Sequence, residues 1–124
     1  MSIIQTILSK IDEFAENENY NYFIVEPTGY PCFLQFAKVG ENFLLDMPSS
    51  NFFEEEMTRE LHHLMENKFR KKIKIIKEDE GDRVMSFQVR FSANEVNKMC
   101  YVTKDVFTTI LMIEEDSEVG IVMR

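Results

Sequence analysis

The sequence predicts an α+β fold in the order α-β-β-β-α-β-β-α, a two-layer sandwich of one five-stranded antiparallel sheet and three helices. Three observations predict it. Apolar residues recur at three- and four-residue spacing in three separated stretches. Between those stretches they fall in short aromatic or β-branched runs, with strict alternation in the clearest of them. Turn signals built on Pro27, Gly29, Pro31, Gly40 and Gly81 separate the short runs at hairpin distances. Helical and strand periodicities of 3.6 and 2 place side chains on one face of each element, so the pattern reports what each element buries. The chain has 124 residues, 44% of them hydrophobic, which suits a single domain over 1–124. A domain of this size buries roughly two-thirds of its unfolded surface and needs no disulfide or metal to hold it.

The first helix follows from Ile3, Ile4, Ile7, Leu8, Ile11, Phe14 and Ala15, one continuous stripe. Ser2 and Gln5 match a capping box, in which a serine oxygen takes a free first-turn N–H and a glutamine reaches back. The polar run at 16–19, ENEN, ends it. Three strands follow as a meander at 21–27 (NYFIVEP), 32–39 (CFLQFAKV) and 42–48 (NFLLDMP). Gly29 and Gly40 sit in their connections, where positive φ is needed. Neither face of the second strand is wholly polar, which implies partial cover on both.

The second helix begins in SSNFFEEE, with Asn51 and Glu54 as its capping box and three glutamates where the helix dipole favours negative charge. Met57, Leu61, Leu64 and Met65 form its stripe, and Lys68, Arg70, Lys71 and Lys72 arrive where positive charge is favoured. Two strands, 72–77 and 83–91, then pair as a hairpin through EDEGD. Ser92 and Glu95 form a third capping box that starts the last helix, which runs to about residue 113 through Val96, Met99, Cys100, Thr103, Phe107, Ile110 and Leu111. Its second half, VFTTILMI, is β-branched enough to pass for a strand. The tail, EVGIVMR, either pairs with a strand or hangs free.

Fourteen basic against 22 acidic residues give a net charge of −8. Such a chain repels phosphate backbones and anionic lipid, which argues against nucleic acid and membranes as partners. No apolar run reaches the roughly 18 residues of a membrane span. The amino-terminal stretch carries Lys10 and Asp12 in place of a basic leader with a cleavage site, so a cytoplasmic location is expected.

Catalytic and metal signals are weak. His62 and His63 are adjacent, so their rings point about 100° apart on a helix and cannot readily share an ion; His62 with Glu66 lacks a third ligand. Cys32 and Cys100 have no neighbouring base or paired-cysteine motif and read as structural thiols. The carboxylate clusters fall at helix ends and turns, where no buried, unequal pair arises. There is no glycine-rich phosphate loop, and DEGD at 79–82 lacks the alternating oxygens of a calcium loop. No cofactor and no enzyme activity are expected. What stands out is the aromatic surplus, eleven Phe and four Tyr without Trp. Phe52, Phe53, Tyr30 and Tyr101 lie near predicted element ends and are the candidate partner-binding residues. The expected function is a non-catalytic protein-binding module. The alternative is a regulatory domain with an apolar small-molecule pocket between the sheet and the first and third helices.

In element order, length and acidity the chain resembles the type III secretion chaperone-like fold and the YbjN-like (sensory transduction regulator) family that shares it. The resemblance implies an antiparallel sheet backed by helices, frequently a homodimer, whose apolar surface holds a segment of a protein partner.

Overall fold

The computed structural model describes residues Met1–Arg124. Three helices, α1 (Ile3–Glu16), α2 (Glu55–His63) and α3 (Val96–Asp105), accompany β1 (Tyr22–Pro27), β2 (Leu34–Val39), β3 (Asn42–Pro48), β4 (Lys74–Lys77), β5 (Val84–Phe91) and β6 (Val119–Met123). The sheet is antiparallel throughout and has six strands, ordered β4-β5-β3-β2-β1-β6. The expectation of five is corrected by the tail, which pairs with β1 from Phe23↔Met123 to Pro27↔Val119. Val119, Ile121 and Met123 alternate as a half-buried strand requires, but Gly120 and the brevity of the run weaken that signal in the sequence.

Register explains the core. Phe23, Phe36, Leu45 and Val89 lie opposite one another in successive strands, as do Phe43 with Phe91 and Met47 with Phe87. All of these are buried, and one cluster of 26 buried residues joins them to the apolar stripes of the helices. The opposite face carries Tyr22, Gln35, Ala37, Leu44, Gln88 and Arg90, which are exposed or half-buried. Helical cover therefore falls on one face, not partly on both. The mixed character of β2 arises because its outer residues are small or long and polar, not because a second layer covers them.

α1 has the expected ends. The Gln5 backbone N–H donates to Ser2 Oγ at 3.2 Å while the Ser2 N–H donates to Gln5 Oε1 at 3.0 Å. Ile3, Ile7, Ile11 and Phe14 are buried, each burial contributing about 1.5–3 kcal/mol. The Phe14 ring sits 5.3 Å from Phe23 and 5.9 Å from Phe43, fixing α1 across the sheet.

The other two caps are corrected. Asn51 belongs to a short 3₁₀ turn, Ser49–Asn51, and is buried with its amide against Phe33 in the β1–β2 loop. Asn51 Nδ2 donates to the Phe33 carbonyl at 2.7 Å, and Oδ1 accepts the Phe33 N–H at 3.3 Å. One side chain thus satisfies both backbone groups just ahead of β2, a use that outranks capping because buried backbone groups must be paired. α2 starts after Glu54, which makes no side-chain cap. At α3, Ser92 Oγ donates to Asn94 and to Glu95 instead of accepting an amide. Only the reverse half of the box exists: Glu95 Oε1 accepts the Ser92 N–H at 2.8 Å, and the helix begins at Val96.

α3 continues as a helix through the β-branched run. Val106, Phe107 and Ile110 are buried, and that packing overrides propensity. Thr103 and Thr108 hydroxyls return to the carbonyls four residues back, both at 2.9 Å. Over Val106–Ile110 the helix widens to a π turn, and α2 does the same over Leu64–Lys68.

Candidate functional site

The end of α3 meets the 3₁₀ turn and the β1–β2 loop at one end of the molecule. The π turn closes with the Leu111 N–H donating to the Val106 carbonyl at 3.0 Å, and the Ile113 N–H reaches the Phe107 carbonyl at 2.9 Å. That second bond spans one residue more than a normal Schellman cap. Met112 between them takes φ 58°, a left-handed conformation usually left to glycine. Held there, its side chain is 76% exposed while Ile113 is buried.

Leu111 and Ile113 form one wall of a small groove of about 130 Å³. Tyr30, Pro31 and Cys32 of the β1–β2 loop form another, and Phe53 and Met57 at the start of α2 complete it. Phe53 is 77% exposed. The Asn51 clamp on Phe33 ties the loop and the turn together through two hydrogen bonds between a side-chain amide and the backbone. Burial pushes the Cys32 thiol up in pKa, away from the thiolate form, and it lies in the groove wall. Cys100, away from the groove, is pushed up to about 12 by burial and by the Asp12 carboxylate, and its thiol donates to the Val96 carbonyl at 3.4 Å.

The structure divides the four candidate aromatics. Tyr30 and Phe53 are brought together in the groove. Phe52 is corrected: it is buried, its ring 5.8 Å from Phe87 in an edge-to-face contact, so it anchors α2 and presents nothing to a partner. Tyr101 is 48% exposed on α3 but does not line the groove. Leu111 and Ile113 are the contributors that sequence reading missed. Their signal was the uninterrupted LMI after a helical run with no glycine to end it.

The histidines stand apart. His62 packs edge-on to Phe87 with centroids 6.1 Å apart, and His63 Nδ1 lies 3.0 Å from the Asn67 amide. No three His, Cys, Asp or Glu side chains gather as a metal would require. Between α1, the β2–β3 turn and the start of α3 lies an open hollow of about 620 Å³. It is lined by Asp12, Glu16, Glu18, Glu41 and Lys38 beside Phe43, a polar surface unlike the apolar ligand pocket expected there. No helix is long and apolar enough to cross a membrane.

No protein-family model, curated protein or solved structure matches this chain.

Proposed function

We propose that the chain is a non-catalytic protein-binding module that takes an apolar segment of a partner at the groove between Tyr30, Phe53 and Leu111. The observation that carries this reading is Phe53, 77% exposed on the wall of one apolar groove, with Met112, 76% exposed, between the wall residues Leu111 and Ile113. Burying one such side chain on association contributes about 1.5–3 kcal/mol, and a small cluster of them is what dominates protein interfaces. A chaperone-like adaptor, cytoplasmic and able to pair with itself, fits the same surface and the resemblance in element order. The reading is tested by placing a photo-reactive phenylalanine analogue at Phe53, Met112 or Tyr101 and irradiating in cells. The expected result is one set of protein adducts shared by positions 53 and 112 and missing from 101. Adducts at 101 equal to those at 53, or none at either groove position, overturn it. Sedimentation of the purified chain shows whether the adduct partner is a second copy.

A further inference from the structure

A second surface lies at the opposite edge of the sheet and has the opposite chemistry. Lys71, Lys72, Lys74 and Arg90 line one cleft beside β4, with Arg70 next along the chain, although acids outnumber bases 22 to 14 in the whole sequence. Lys71 is taken by Glu95 at 2.7 Å. Arg70, Lys72, Lys74 and Arg90 have no carboxylate within 4.0 Å. All four are exposed. The acids of the hairpin tip, residues 78–82, follow the far end of β4, and Asp46 lies two strands further in. A cleft of about 480 Å³ is lined by Lys71, Lys72, Lys74 and Arg90 together with Leu44, Ile73 and Gln88.

β4 is an edge strand. It pairs with β5 alone, so one side of its backbone has no strand partner. Lysines on an edge can serve only to discourage pairing. Here, however, the cations extend beyond the edge, through Lys72 before it and Arg90 on the neighbouring strand, and line a cleft. Unpaired amides and carbonyls along an edge select a peptide in extended form, and the cations select carboxylates on it. Nucleic acid could meet the charges but has no extended backbone of amides and carbonyls to pair with the strand edge.

We propose that the β4 edge and its cleft bind an extended acidic peptide segment, at a site separate from the apolar groove. The test uses a short fluorescent synthetic peptide of alternating Glu and Val, with Gln-for-Glu and Lys-for-Glu versions as controls. The acidic peptide should bind and the other two should not, and affinity should fall about tenfold or more between about 50 and 300 mM salt, as screened charge contacts do. Charge reversal in a Lys72→Glu, Lys74→Glu double variant should cost at least about tenfold in affinity, while its melting temperature stays near that of the parent. Phe53→Ser should leave this binding unchanged, which separates it from the apolar groove. Amides of β4 should gain hydrogen-exchange protection on peptide addition. Equal binding of the acidic and Gln peptides, an unaffected double variant, or tighter binding of a single-stranded oligonucleotide or an anionic vesicle than of the peptide would overturn the proposal.

Discussion

At the end of α2 the helix widens to a π turn, closes with the Lys71 N–H on the Met65 carbonyl at 2.9 Å, and leaves Arg70 at φ 56°. At the end of α3 it widens again, closes with Ile113 on Phe107 at the same 2.9 Å, and leaves Met112 at φ 58°. The backbone device is one and the same, but the two turns lead to different surfaces. After α2 come cations and an edge strand; after α3 comes the wall of an apolar groove. The comparison teaches that helix termination here decides where a side chain is displayed, and sequence alone decides what is displayed. The two ends are also joined, because Asp105, buried where α3 begins to widen, accepts from Lys68 at 2.5 Å and from Lys104 at 3.2 Å.

The strongest way to break the symmetry is to remove the core anchor under one end. Phe107→Ala should cost about 3–5 kcal/mol, since a fully buried ring is lost from beneath the α3 turn. Denaturant melts measure it, and hydrogen exchange should show Ile113 losing protection before Lys71 does. Equal loss at both ends would mean that they are one cooperative unit.

A smaller effect distinguishes the α2 end by its charge. Glu95 accepts from Lys71 and from the Ser92 N–H, and these bonds lower its carboxyl from an ordinary 4.5 to about 2. A lowered folded-state value means the stabilisation is fully present above pH 4.5 and is lost as pH falls through about 2. Because the pair is partly solvated, Glu95→Gln should cost only about 1 kcal/mol at neutral pH. The gap between variant and parent should close on acidification toward pH 2. A gap independent of pH would show that the contact matters for shape alone.

The smallest effect sharpens the comparison itself. A left-handed L-residue costs about 1–2 kcal/mol, and glycine gives back about 0.5–1 kcal/mol through its greater freedom when unfolded. Arg70→Gly and Met112→Gly should therefore each stabilise the protein, by no more than about 1 kcal/mol. Only Met112→Gly should reduce crosslinking at Phe53. Two residues kept at a cost where glycine would serve indicate that their side chains are used.

Much of the fold was legible because local chemistry and burial agreed. α1 shows both, with Ser2 and Gln5 at its start and four buried apolar residues along it. Asn51 was misread because a capping residue and a strand surrogate have the same side chain, and only the tertiary position of Phe33 chooses between them. Phe52 and Phe53 were equivalent in sequence; in the extended link between the 3₁₀ turn and α2, one turns in and one turns out. The groove is assembled from a loop, a turn and a helix end that are far apart along the chain, so no local spacing could announce it. Tyr30 and Phe53 could be picked as surplus aromatics, but Met112 needed the backbone conformation to be seen.

The pairing of β6 with β1 also sets an order of events. Phe23 meets Met123 at one end of the pairing and Pro27 meets Val119 at the other, ahead of which the Ile3 N–H donates to the Glu115 carbonyl at 2.9 Å. During synthesis β1 emerges early and β6 after every other element. Until then the nascent chain can assemble β2, β3 and the hairpin, but one flank of β1 stays bare beside Phe23 and Val25, the kind of exposed edge that partly folded chains use to aggregate. Once paired, β6 covers that flank and itself becomes the edge of the sheet, so the exposed edge passes from β1, beside the core residues Phe23 and Val25, to a strand that is mostly half-buried.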